Sequence, residues 1–470
     1  MSRQFLVVLL LCLSCFAQNN LASGRIDATR MQQYADLAEK WEIQYLQIET
    51  SNPPGNEMRA VEFYKKILDA EGIENQVLKY DDAHNRGNLW AVLPGSGKQR
   101  PLILLDHMDV VSSDPQRWKH PPFSGVIDGG YIYGRGAQDM KSEGLAHLMT
   151  MVMLKREKVK LDRDVIFLAV ADEEADGTGT DWMIANRRDL LRNAEYLINE
   201  GGYNLFENGK VKYVGVDVAE KTTYWMRVTA HGKPGHGSEP KVDSAPNRLI
   251  AALTKLIAYQ TPLKLTPTTE EYLKVMAAFE KPERAEIYRN IRKYLNDPQF
   301  IASLPKDDLN WKLRNTIQLT MLGGSQQTNV IPGEALAQLD VRMLPGEDPE
   351  KLRADLLRVV NDPNVTITPV NKIFRKANSS PTNNDLWAAF RTASTAYFNQ
   401  APVAPYMTGG YTECQRYREI GIESYGFSPY AVLEEVSHTE HGDDERIAVD
   451  QVRRGFRVMY DVVNEVAGGK

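Results

Sequence analysis

VIFLAVADEEADG, Val165 to Gly177, decides how this chain is read. The apolar run Val165–Val170 has the length and composition of a buried strand. Asp172, Glu173, Glu174 and Asp176 follow it at once. Carboxylates so close together repel one another, so the segment is either a solvated loop or a place that needs negative charge for a cation. Adjacent side chains at a strand end diverge. One glutamate can therefore ligate while its neighbour faces a substrate and handles protons.

Outward from this strand, short apolar strands alternate with helices. Strands are expected at Asn88–Leu93, Pro101–Leu105 and Tyr196–Ile198, and helices at Lys141–Lys155 and Trp182–Leu191. Helical periodicity also covers residues 30–71 on either side of the turn Thr50–Gly55. That alternation predicts an α/β layer structure, a mostly parallel sheet with flanking helices. The order then changes. A strand at Thr223–Val228, a helix at Ala245–Tyr259, a charged helical segment over 268–318 and strands at Gln318–Leu322 and Ala335–Val341 suggest an inserted α+β lid at 221–345. The catalytic domain would then comprise 25–220 and 346–468. Its helix Asp348–Val360 is followed near the end by a core-facing stripe of Val452, Phe456, Met459 and Val463.

The 470-residue chain has a formal charge of -6, or -7 once a leader containing Arg3 is removed, and no dense basic patch. Nucleic acid is therefore not an expected partner. Arg3 precedes the apolar stretch Phe5–Ala17, which ends in small residues. This is the pattern of a signal peptide spanning 1–17, with cleavage after Ala17 and a secreted or periplasmic product. The stretch is short for a stable membrane span; an N-terminal anchor helix and a lipid anchor at Cys15 are the alternatives. Cys12 and Cys15 lie in the leader, leaving Cys414 as the single cysteine of the mature chain, so no internal disulfide is expected.

Acids and histidines recur in five places, four of them at the ends of expected strands. His107 and Asp109, two apart in extended chain, point the same way, so the histidine could bind a metal while the aspartate takes its other ring proton. Asp139 follows the glycine-rich Tyr133-Gly-Arg-Gly-Ala-Gln and precedes a helix, where it could equally be an N-cap. Glu173 and Glu174 are the third place, Glu200 the fourth, and His441, in His438-Thr-Glu-His441-Gly-Asp, the fifth. Taken singly, each reads as surface or capping chemistry. Together, two histidines and three carboxylates suit two divalent metal ions, zinc first and cobalt or manganese otherwise, with an acid such as Asp139 between them.

The motifs LLDHMDVV, WKHPPFSGVIDGGYIYGRGAQDMKSEG, ADEEADG, INEGG, GHGSEP, TNVIPG, DVRMLPG and HGDDERI, in this order, make the chain resemble the M20 family of metallopeptidases and amidohydrolases. The resemblance spans most of residues 35–465. It implies a zinc-peptidase-like catalytic domain in which His107 and Glu200 hold one metal, Glu174 and His441 the other, and Asp139 bridges them. It also implies that Asp109 orients His107. Glu173 is the expected general base, taking a proton from the attacking water and passing it to the leaving nitrogen. His236 is the expected oxyanion-stabilising histidine, with Asn329 and Arg342 as substrate-binding residues. A planar guanidinium suits Arg342 to a terminal carboxylate, although a local pairing with Asp340 would also account for it.

The implied reaction is hydrolysis of an amide or peptide bond beside a free carboxylate, in a peptide C-terminus, a dipeptide or an N-acyl amino acid. An aminopeptidase with the same metals and a non-catalytic binding protein on the same scaffold are the alternatives. Retention of every proposed ligand and of Glu173 argues against the second. The chain departs from many relatives where they read GGTD and it reads Gly409-Gly-Tyr-Thr412. The segment 268–318 enlarges the lid, which leaves open whether the protein forms the lid-mediated homodimer of compact members or closes over its own site.

Overall fold

The computed structural model describes residues 21–370 and 375–469, so the expected signal peptide lies outside the described residues. The chain divides into two compact units. The first comprises residues up to 218 with 380–406 and 412 onward, the second 219–379 with 407–411.

The first unit is built on a ten-stranded sheet. Its middle is four parallel strands in the order Val165–Val170, Leu102–His107, Tyr196–Asn199 and Glu423–Gly426. The first three lie within a residue or two of the expected positions. They were legible because they are buried on both faces and therefore continuously apolar. Side chains alternate as a pleat requires. Ile103, Leu105, Ile166, Leu168 and Val170 pack with Met183, Cys414 and Tyr417 beneath the helices Thr178–Asn186 and Cys414–Glu419. On the opposite face Phe167 meets the Tyr64 ring edge-on at 5.0 Å, and the helix Lys141–Arg156 packs on Leu102–His107. The final helix, Val449–Ala467, buries Val452, Phe456, Met459 and Val463, the expected stripe, and packs on Lys141–Arg156 and Ala28–Leu46.

The sheet as a whole is mixed, which corrects the expectation of a mostly parallel one. Glu74–Asp81 and Arg86–Leu93 form an antiparallel hairpin, and the second of these strands also runs antiparallel to Val165–Val170. On the other side, Lys210–Glu220 is antiparallel to both Asn204–Glu207 and Glu423–Gly426. The reason is connection length. The turns joining 81 to 86 and 207 to 210 are too short for the crossover that a parallel pair needs.

The second unit carries a five-stranded antiparallel sheet. Its central strand, Glu334–Met343, pairs with Met226–His231 on one side and Thr316–Gly323 on the other. The helices Ala245–Ala258 and Pro349–Val360 share one core with it, through Leu249, Leu253, Leu352 and Leu356. Between helix and edge strand runs a succession of short helices from Pro267 to Lys312. The unit extends beyond the expected 221–345 because Val365–Pro369 pairs antiparallel with Met226–Ala230. That pairing brings the helix before it, expected in the catalytic half, into this unit.

Candidate metal centre

His107 ends the strand Leu102–His107, Glu200 follows Tyr196–Asn199 directly, and Glu173 and Glu174 lie just past Val165–Val170. Three adjacent parallel strands thus deliver these groups at their carboxyl ends, where open α/β sheets place their sites. Asp139 comes from the turn before the helix at Lys141, and His441 from the turn after the short helix Glu434–Ser437.

Two sets of ligand-type atoms result, and they share one residue. His107 Nε2 lies 3.0 Å from Asp139 Oδ1 and 3.2 Å from Glu200 Oε2. His441 Nε2 lies 2.8 Å from Asp139 Oδ2 and 3.3 Å from Glu174 Oε1. His107 with Asp139 and Glu200, and Asp139 with Glu174 and His441, each form a group able to hold a metal ion. The donor chemistry fits a divalent ion of the zinc type, since bonds of about 2.0–2.1 Å in a tetrahedral site put neighbouring donors about 3.3 Å apart. Glu174 Oε1 fits as well: it is buried and faces His441 Nε2 at 3.3 Å, and a cation beside it would offset the cost of burying a carboxylate oxygen.

The electrostatics agree. Removal from water disfavours the charged imidazole of His107, but Glu200 and Asp139 outweigh that and hold its pKa well above the ordinary value. Hydrogen bonding to Asp139 and Glu174 pushes His441 up to about 11. Burial raises the Glu173 carboxyl well above the usual range, with Glu413, Glu174 and Asp139 adding to it. A centre that draws positive charge onto both imidazoles is one where cations can replace protons.

Asp109 meets the His107 ring through its backbone oxygen rather than its carboxylate. The ring nitrogen Nδ1 of His107 donates to the Asp109 backbone oxygen at 3.1 Å, while the nearer carboxylate oxygen is 3.8 Å away. That bond places the ring proton on Nδ1 and frees Nε2. The Asp109 carboxylate instead accepts the backbone N–H groups of Glu173 and Glu174, both at 3.0 Å.

Sequence reasoning missed Glu413. It is fully buried, accepts from Asn199 Nδ2 at 2.9 Å, and forms a third cluster of ligand-type oxygens with Glu173 and Glu200. Its signal was present in the departure from GGTD, where Thr412 is followed by an acid. His236, Asn329 and Arg342 belong to the second unit. Two of them are neighbours there: His236 pairs with Val330, and Gly237 N–H donates to the Asn329 oxygen at 2.7 Å. Both side chains are exposed, and His236 Nδ1 lies 2.7 Å from Ser238 Oγ. Arg342 donates through Nε to Asp340 at 2.8 Å and through Nη1 to the Gly409 oxygen at 3.3 Å. The local pairing with Asp340 is therefore real.

A shared aspartate between two histidine–glutamate pairs, on an α/β sheet in a chain with a second unit built on an antiparallel sheet, defines a dinuclear metal-dependent hydrolase. The chain matches the model of Peptidase family M20/M25/M40 over residues 103–465 and belongs to that family. It is 27% identical to aminoacylase-1 of Mus musculus over 432 residues, covering 90% of this chain and 94% of that protein. It is 24% identical to an N-fatty-acyl-amino acid synthase/hydrolase of Homo sapiens, covering 90% and 86% respectively. In fold it is similar to an M20 family metallo-carboxypeptidase from Sulfolobus solfataricus, with a TM-score of 0.67 at 18% identity, covering 93% of this chain and 99% of that one.

Proposed function

We propose that this protein hydrolyses an amide bond beside a free carboxylate, with N-acyl amino acids first among its substrates, followed by dipeptides and peptide C-termini. The observation that carries the reaction class is Asp139, whose two oxygens approach two different histidines, each beside its own glutamate. The choice of substrate leans on relatives of nearly equal length named for acylated amino acids.

His107, Glu200 and Asp139 would hold one ion, and Asp139, Glu174 and His441 the other, zinc being the first choice for this mixed nitrogen and oxygen set. A pair of divalent ions supplies Lewis acidity and brings water to nucleophilic strength near neutral pH. Glu173 takes the proton of the attacking water as its oxygen bonds the carbonyl carbon. It returns that proton to the nitrogen as the C–N bond breaks, leaving a carboxylic acid and an amine. The resemblance gives His236 the stabilisation of the developing oxyanion, Asn329 a substrate contact and Arg342 the grip on the free carboxylate.

The test is hydrolysis of N-acyl amino acids, dipeptides and C-terminal peptides with and without a chelator. Amide cleavage that a chelator abolishes and added zinc restores is expected. Cleavage undiminished in metal-free protein would overturn the reading.

Export to a secreted or periplasmic location follows from the leader Phe5–Ala17, and the N-terminus of the exported protein tests it. Among the described residues, no helix is long and apolar enough to cross a membrane. A homodimer through the lid is supported by the edge strand Thr316–Gly323, where Met321 and Leu322 are 55% and 68% exposed. Ile250 and Ile257 of the helix Ala245–Ala258 are exposed as well. Open apolar edges invite pairing, and sedimentation of the wild type beside Met321→Lys would reveal it.

A further inference from the structure

Asn52 ends a two-residue strand that pairs in parallel with Val110–Val111, and it is 4% exposed. Its amide nitrogen donates to Asp109 Oδ2 at 2.7 Å and to Asp172 Oδ1 at 2.8 Å. Its amide oxygen accepts from Arg86 Nη2 at 2.8 Å, and Arg86 Nη1 reaches Asp172 Oδ1 at 2.5 Å. The orientation is forced. A flipped amide would set its oxygen against two carboxylates and its nitrogen against a guanidinium.

The two acids bridged in this way bracket the reacting turn. Asp109 takes the N–H groups of Glu173 and Glu174 on its two oxygens. Asp172, the residue before them, has a left-handed backbone with φ of 69° and receives the Thr178 hydroxyl at 2.6 Å. Such a backbone persists in a residue other than glycine only where its surroundings hold it. Asp109 and Asp172 are themselves 0% and 1% exposed, so without a donor between them two buried carboxylates would face each other.

We propose that Asn52 is a positioning residue: with Arg86 behind it, its amide locks Asp109 to Asp172 and so fixes the direction in which Glu173 points. This rests on the reading of Glu173 as the base. Asn52 touches neither substrate nor reacting atoms, and its effect passes through the turn alone.

The experiment is a double-mutant cycle of Asn52→Ala with Glu173→Gln in the zinc-loaded full chain. It reads kcat, KM, metal content and melting temperature. Misplacing a catalytic group by about 1 Å costs on the order of 100-fold. Asn52→Ala is therefore expected to lower kcat by about 10- to 100-fold, with KM changed less than about threefold and two ions per chain retained. In the Glu173→Gln background the same change is expected to lower kcat less than about threefold, because the group it aims is gone. Unchanged kcat in Asn52→Ala, or the same loss in both backgrounds, overturns the proposal. If Asn52→Ala fails to fold, Arg86→Lys, which cannot serve both Asn52 and Asp172 in one plane, takes its place in the cycle, with the same losses expected and the same results overturning the proposal. Full activity in Glu173→Gln alone overturns the assignment of the base and the proposal with it, a result distinct from additivity.

Discussion

Arg135 and Glu445 form a buried ion pair, Nη1 to Oε2 at 2.6 Å, that ties two ligand-bearing turns together. The Glu445 carboxylate also accepts the N–H groups of Gly136 and Gln138, at 3.0 and 2.7 Å, just before Asp139. Arg135 Nη2 donates at 2.7 Å to the oxygen of Gly442, next to His441. Removing one partner leaves a buried charge with nothing to balance it. Arg135→Ala should cost about 3–5 kcal/mol of stability and weaken metal retention. Urea unfolding of the metal-free and metal-loaded forms separates the two effects.

Glu173→Gln should keep both ions and lose about 100- to 10,000-fold in kcat, the usual range for a lost acid–base group. Metal analysis alongside steady-state kinetics decides it. Activity near wild type would reassign the proton to another acid, with Glu413 the first to try.

Stripping the metals should lower thermal stability as well as activity. Free ion at a thousandfold over Kd stabilises the folded chain by about 4 kcal/mol. Asp139→Asn should then melt near the temperature of the stripped wild type and gain little when zinc is added back.

His147, inside the buried helix Lys141–Arg156, gives a pH dependence. Burial pushes its pKa down to about 3, outweighing the pull of the Leu105 backbone. The unfolded chain, with a value of about 6.5, binds a proton between these limits that the folded chain refuses. Stability from this group is full above about pH 6.5 and falls by about 1.4 kcal/mol per unit as the pH drops toward 3. His147→Gln should flatten the acid side of the unfolding curve by one proton, read from denaturation midpoints across that window.

Arg342→Ala should raise KM for substrates ending in a free carboxylate and leave amide-capped analogues nearly unchanged. Equal losses on both would mean that the guanidinium serves only Asp340 and Gly409.

What the sequence disclosed follows from how local each signal is. The central strands announce themselves because they are apolar throughout, and the ligands because they sit at the ends of those strands. Glu74–Asp81, an edge strand with a single buried residue, has no such signature, and the mixed character of the sheet went unseen with it. Asp139 could be suggested as a bridge from the set of acids and histidines alone, and the long ordered motif around it made the suggestion specific. Asn52 and Arg86 were silent, and Glu413 was marked only as the acid after Thr412, for a different reason. Their meaning lies in partners such as Asp109, Asp172 and Asn199, brought near by folding rather than by spacing.

The shared aspartate limits which half of the centre can be lost alone. Replacing the His107–Glu200 pair or the Glu174–His441 pair dismantles one socket and spares most of the other. A change at Asp139 damages both at once. A one-ion descendant of this enzyme could therefore arise by eroding either flank, but never by way of the keystone.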